Sequence, residues 1–263
     1  MNKQRSLLSK TLVIGIIILF VGMSVVSSMS VIVDKIPSNT QTLNTEDSSK
    51  DLHYHGNYGY AYNAYPGLEE TFYFPLDDLT EYNPCGETIS GDFLYGGTID
   101  SDGIWYASQY GNGLLFGIDT NNGCDMWSIG GGGSGTTELA WDDETALLYI
   151  IIDSYNLYWY DPETGEGDYL GNIDVSLTQI EFDNNDILYG FELSITGDVY
   201  TIDLSTFETT LVGTLTNITS TGGLSIAFDK DTNDLYLLGN GLYVCDTETY
   251  ECTLIGGYPM GLE

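Results

Sequence analysis

The sequence predicts an all-β fold in which one four-stranded unit repeats along the chain. Three observations carry that expectation. From residue 71 onward, short runs of aromatic and β-branched residues alternate with turns of Asp, Asn, Gly and Thr, as consecutive antiparallel hairpins require. An Asp closing the third strand recurs as Asp119, Asp161, Asp203 and Asp246, at spacings of 42, 42 and 43 residues. A Gly closing the fourth strand keeps step as Gly130, Gly171, Gly213 and Gly256. A four-stranded unit with a period of about 40–45 residues is a β-propeller blade.

The clearest unit is Leu139–Ile173. An apolar pair ends in Trp141-Asp142, and the strands Leu147–Ile152, Leu157–Asp161 and Asp168–Ile173 follow. Ile180–Leu215 and Ile226–Gly257 repeat it, and each copy carries an aromatic in its second strand: Trp105, Tyr149, Tyr189 and Tyr236. A step of 42 residues back from Asp119 lands on Asp77, in a stretch (Thr71–Gly91) that reads as strands three and four of a further copy. The expectation is therefore four full units and one half-unit. The half-unit lacks its first and second strands, and only GYPMGLE follows Gly256. On this reading the sequence is a fragment of a longer frame, or the ring is incomplete and open to self-association through unpaired strand edges.

The motif (I/L)-x-(F/W)-D…(L/I)-(Y/W)…(L/V)-Y-x-x-D-x-x-T…L-x-G resembles the loose propeller repeats of secreted bacterial and archaeal proteins, the broad YVTN/NHL/quinoprotein-like group. The resemblance runs from about Thr71 to the end. The Gly-His/Trp-Asp pair of WD40 repeats is missing, as is the Asp box of sialidase-type blades. The resemblance implies the architecture and, within the group, either a binding module or an enzyme.

Residues 1–30 read as a signal peptide. Lys3, Arg5 and Lys10 precede the uncharged 15-residue run Leu12–Val26, and Ser27, Ser28 and Ser30 follow. The run is shorter than the roughly 18–20 apolar residues that span a bilayer. Residues 31–68 read as a linker or propeptide ending in a Tyr/Gly-rich segment. Within it, Tyr58–Tyr65 is expected as an added edge strand or a coat over the half-blade. Residues 69–263 form the repeats, and the chain is placed outside the cell or on its surface.

The formal net charge is −33, from 39 acidic and six basic residues, and Lys230 is the only Lys or Arg beyond residue 50. So acidic a surface repels phosphate backbones and anionic lipid, which argues against nucleic acid, and against membrane once the leader is cleaved. The four cysteines fit an exported chain. Cys245 and Cys252 flank one hairpin and are expected to pair across it. Cys85 and Cys124 sit in comparable hairpins of adjacent units, and their pairing is left open. Asn217-Ile218-Thr219 is a glycosylation sequon, with Asn217 the acceptor.

The turns between first and second strands are acidic. Asp229, Asp231 and Asn233 have the start of a D-x-D-x-N loop, whose alternate oxygens suit Ca²⁺. The match stops there: Asp234 stands where the loop needs Gly, and Asn240 where it needs Glu. Asp and Asn are also ordinary turn formers. The landmark aspartates, repeated in every unit, are expected to accept backbone N–H groups in their own turns. His53 and His55, the only histidines, precede the repeats, so no Ser-His-Asp set is available within them. No catalytic residue and no cofactor beyond that candidate Ca²⁺ is assigned. The function that follows is an exported, non-catalytic binding or cell-surface scaffold module with a protein or carbohydrate ligand at the propeller rim. The alternative is a propeller enzyme, a metal-dependent lactonase or hydrolase or a quinone-dependent dehydrogenase.

Overall fold

The computed structural model describes residues 15–16, 58–63, 70–76, 79, 81, 83–86, 94–109, 111–131, 136–192, 197–219, 225–229, 232–238 and 241–257. Its strands in chain order are β1 (Gly15–Ile16), then blade I with β2 (Tyr58–Asn63), β3 (Glu70–Pro75) and β4 (Asn83–Pro84). Blade II follows with β5 (Leu94–Ile99), β6 (Ile104–Gln109), β7 (Leu114–Asp119) and β8 (Asp125–Gly131). Blade III has β9 (Thr136–Asp142), β10 (Leu147–Ile152), β11 (Asn156–Tyr160) and β12 (Gly167–Asn172). Blade IV has β13 (Gln179–Phe182), β14 (Leu188–Glu192), β15 (Asp198–Ile202) and β16 (Thr209–Thr214). Blade V has β17 (Ser225–Phe228), β18 (Leu235–Leu238), β19 (Gly241–Cys245) and β20 (Cys252–Gly257). In blades II to V each strand pairs antiparallel with the next, innermost first.

There are five blades, not four and a half. The expected half-unit has three strands, because Tyr58–Asn63 pairs along its length with β3. The segment had been expected as an added strand or a coat, and it is the strand. Its alternation explains the role. Gly59 and Ala61 lie opposite Phe74 and Phe72, and Tyr58 and Tyr60 lie opposite Pro75 and Tyr73. A Cβ on Gly59 would stand 2.4 Å from the Phe74 ring, so only glycine admits that ring. The Phe face packs with Leu235, Leu237, Leu242 and Tyr243 of blade V. The Tyr face packs with Ile99, Trp105 and Ile118 of blade II. Blade I is thus buried on both sides, and the ring closes where an open one had been allowed for.

Of the predicted signal peptide only Gly15–Ile16 is described, paired antiparallel with Ser225–Ile226 at the inner edge of blade V. The rest of the leader, His53, His55, Asp77 and Lys230 lie outside the described residues.

The landmark glycines are sockets between blades. A Cβ on Gly171 would lie 2.3 Å from the Phe207 ring, and one on Gly213 would lie 2.0 Å from the Tyr250 ring. Phe207 and Tyr250 occupy the turn between third and fourth strands of the next blade, at φ of +62° and +58°. Non-glycine residues rarely take that left-handed conformation, and its cost is offset by the ring's packing, buried at Tyr250 and half-buried at Phe207. In blade III the equivalent turn residue is Gly165, and Tyr160 fills the Gly130 socket instead, its hydroxyl donating to Ile129 O. The fourth socket closes the ring, with Gly256 of blade V receiving Leu79 of blade I. At the joint between blades I and II the contact is covalent. Cys124, at φ +59° in the same turn position, is disulfide-bonded to Cys85 beside Gly86. Cys245 and Cys252 form the second disulfide, across the last hairpin as expected.

Candidate functional site

The acidic turns between first and second strands are built by their own aspartates. Asp100 Oδ1 accepts the N–H groups of Asp102 and Ile104, and its Oδ2 accepts the Tyr106 hydroxyl. Burial nevertheless pushes the Asp100 carboxyl up. Asp142 accepts from Glu144 N and from the Thr145 hydroxyl. Asp183 accepts from the N–H groups of Asn185 and Ile187, and Asp229 from Thr232 N. All four are buried. Within the sequence-derived Ca²⁺ candidate, Asp229 is engaged in this way, and Asn233 Oδ1 accepts the N–H of Asn184 in the neighbouring blade. Asp231 lies outside the described residues. Among the described residues no three His, Cys, Asp or Glu side chains are grouped to hold a metal ion.

The landmark aspartates have the same kind of work. Asp119, Asp161, Asp203 and Asp246 each accept the N–H two residues on. The Thr164 hydroxyl holds Asp161 below the usual carboxylate range, the Ser205 hydroxyl does so for Asp203, and the Thr249 N–H does so for Asp246. Repetition in every full blade reflects turn construction.

A different set of polar side chains lies on the innermost strands, and it was not singled out in the sequence. Glu138, Gln179 and Ser225 each stand four residues before the inner-turn aspartates Asp142, Asp183 and Asp229, so they occupy one level of three successive blades. Each is at most 2% exposed. Glu138 Oε1 accepts Gly97 N of blade II at 3.1 Å, and the Gln179 side chain of blade IV hydrogen-bonds to the same carboxylate. Glu181, two residues beyond Gln179 on β13, is also buried. Burial pushes the Glu138 carboxyl well up, and the charge of Glu181 adds to that rise. Glu138 Oε2 and Ser225 Oγ are buried and have no hydrogen-bond partner in the structure. The innermost strands thus share a polar level at which Glu138 links blades II, III and IV. The signal that would have found it is the repeat alignment, in which the fourth residue before each inner-turn Asp is polar in blades III, IV and V.

No family model matches the sequence, and no curated protein matches it. Solved structures do. Nidogen, in its complex with laminin, aligns over 72% of this chain and 90% of that one, with TM-score 0.50 and 13% identity. Glutaminyl cyclase of Myxococcus xanthus aligns over 72% and 88%, with TM-score 0.47 and 17% identity. Virginiamycin B lyase of Staphylococcus aureus aligns over 97% and 89%, with TM-score 0.46 and 12% identity. The chain is a five-bladed β-propeller. At these identities the likeness is one of fold.

On the propeller's perimeter the outermost strands expose apolar side chains: Trp127 on β8, Tyr169 on β12, Leu211 and Val212 on β16, and Leu254 and Ile255 on β20. Among the described residues the outer edges of these four strands carry no further strand. Asn217, in the sequon, is exposed in the connection between β16 and β17, at φ +61°.

Proposed function

We propose that this propeller is an exported, non-catalytic binding or scaffold module, and that its ligand is a protein held at the rim. The observation that carries the reading is the series of exposed aromatic and aliphatic side chains on the outermost strands of four successive blades. Such side chains in reach of an open strand edge offer both apolar contact and main-chain pairing to a partner. The carboxylates that repeat in each full blade are engaged in turns, which supports a structural reading of them. Glu138 accepts Gly97 N of the neighbouring blade and is bonded by Gln179, which supports a structural reading of it as well. Nidogen, of similar fold, was solved in complex with a protein, laminin. Export rests on the leader-like first 30 residues and is in keeping with two disulfides. No helix among the described residues is long and apolar enough to cross a membrane. In this reading residues 1–30 are removed, 31–68 lead into the ring, and Asn217 is available for glycosylation.

The test is co-sedimentation of the exported chain with cell-envelope fractions of the producing cell, before and after protease treatment of the fractions. Binding that is lost on protease treatment, and lost in a W127S/Y169S/L211S/L254S variant of unchanged Tm, is the expected result. Binding that survives the protease points to carbohydrate. Turnover of lactones, or reduction of an electron-accepting dye, that disappears in Glu138→Gln would establish the enzyme reading instead.

A further inference from the structure

We infer that Asn122, in the turn between β7 and β8, is a self-modifying site, at which the main-chain nitrogen of Gly123 attacks the side-chain amide and converts the residue to aspartate or isoaspartate. The only other reactant is water. The Gly123 nitrogen bonds to Asn122 Cγ and gives up its proton, the Cγ–Nδ2 bond breaks, and Nδ2 leaves as ammonia. The succinimide so formed adds water at one of its two carbonyls, which leaves an aspartyl or an isoaspartyl link. Nothing is oxidised or reduced.

Asparagine is chemically labile, and a following Gly, with no Cβ, leaves its nitrogen open to the ring closure. The sequence has three such pairs, Asn112-Gly113, Asn122-Gly123 and Asn240-Gly241, and Asn240 lies outside the described residues. The structure separates the other two. Closure needs a free nitrogen, an open approach and an amide that can turn. At Asn112 each is missing. Gly113 is buried, and its N–H donates to Gln109 O at 3.1 Å. The Asn112 amide is held at both ends, Nδ2 donating to Gln109 Oε1 and Oδ1 accepting the N–H of Leu114. At Asn122 all three are present. Asn122 and Gly123 are both exposed, and among the described residues the Gly123 N–H has no acceptor. A Cβ placed on Gly123 would meet nothing within 4 Å. The Asn122 amide makes one hydrogen bond, from Nδ2 to Asp125 Oδ2 at 2.6 Å. The position bears on the ring, because Cys124 stands two residues on and is bonded to Cys85 of blade I. Either product puts a carboxylate where Asn122 had donated to Asp125, so a hydrogen bond becomes a like-charge contact. The isoaspartyl link also lengthens the main chain by one methylene inside the turn that presents Cys124. None of this depends on the rim-binding reading.

The test ages the exported protein at mildly alkaline pH and maps its peptides by mass, with isoaspartate confirmed by enzymatic methylation. A parallel sample is held reduced in guanidinium chloride, where the sequence acts without the fold. In the folded protein Asn122 should convert while Asn112 lags. Asn112 must break two more hydrogen bonds first, which predicts a lag on the order of tenfold or more. In guanidinium the two rates should converge. Asn122→Gln, whose ring would need six members, should abolish conversion at that position and leave the Tm of fresh protein unchanged. Conversion of Asn112 as fast as Asn122 in the folded protein overturns the proposal. So does an Asn122 that stays intact in the folded protein while the guanidinium sample converts it. The converted fraction, separated by its added charge, should unfold at a lower temperature than the unconverted one, and equal Tm values would overturn the effect on the joint with blade I.

Discussion

The two sides of blade I close the ring by different means. Toward blade II it is locked covalently, Cys85 to Cys124, and its Tyr face packs on Trp105 and Ile118. Toward blade V it packs through apolar contacts, with Phe72 and Phe74 in the core and Leu79 seated over Gly256. The ordinary joints lie between these extremes, with a whole Phe or Tyr ring resting on a glycine. The difference shows that one socket geometry tolerates three fillings: a ring, a flexible leucine and a disulfide. What must be kept is the small residue on the outer strand and the reach of the next blade's turn.

The largest effect is expected at the covalent joint. Replacing Cys85 and Cys124 together by Ser frees a 39-residue separation, which chain entropy values at about 4 kcal/mol. Denaturant unfolding of the double variant should show that loss, and a change below about 1 kcal/mol would mean the apolar faces alone hold blade I. Next comes Gly213→Ala. Its methyl would meet the Tyr250 ring at 2.0 Å, and Tyr250 is buried and held in the left-handed region. The ring cannot move aside, so a cost of about 2–3 kcal/mol is expected.

Gly256→Ala is the matched control. There the obstacle is the end of the Leu79 side chain, at 2.8 Å, which can rotate away. A cost below about 1 kcal/mol is expected from the same denaturant measurement. Equal costs at 213 and 256 would erase the distinction between rigid and yielding sockets.

The smallest effect concerns acid. The carboxyls of Asp161, Asp203 and Asp246 are held below their usual range by hydrogen bonds in the folded turns. Their contribution is complete above the ordinary Asp value and is lost as pH falls through the lowered folded values. Thermal unfolding from pH 5 downward should therefore steepen below about pH 4. An Asp161→Asn/Asp203→Asn/Asp246→Asn variant should show a shallower decline over the same range.

How much of this the sequence disclosed depends on where its signal repeats. Asp161 and its equivalents were legible because a turn-forming Asp works within four residues of itself. Cys245 and Cys252 were legible because a hairpin brings them together locally. Gly213 and its equivalents were visible as landmarks, but their purpose was not, since Tyr250 reaches each socket from a different sheet. Tyr58–Asn63 was half legible. Its Tyr/Gly run offered an added strand or a coat, but it carries no landmark Asp or Gly of the repeat, so its pairing with Phe72 and Phe74 was needed to decide. Glu138 was lost among 39 acidic residues, and only its place four residues before Asp142, shared with Gln179 and Ser225 before theirs, sets it apart in the sequence.

The Leu79–Gly256 contact also sets a clock. Each earlier socket joins neighbours in the sequence and can fill as soon as two blades exist. This one waits for the last outer strand, β20, because its halves lie near opposite ends of the repeats. A chain threaded outward from its N-terminus would hold blade I with its Phe face bare through most of that passage, since long-range pairing comes late and slowly. The Cys85–Cys124 bond needs only the first two blades, so it can form before that moment. Formed then, it would anchor the first blade to the second, and the finished end would meet a fixed target rather than a wandering one.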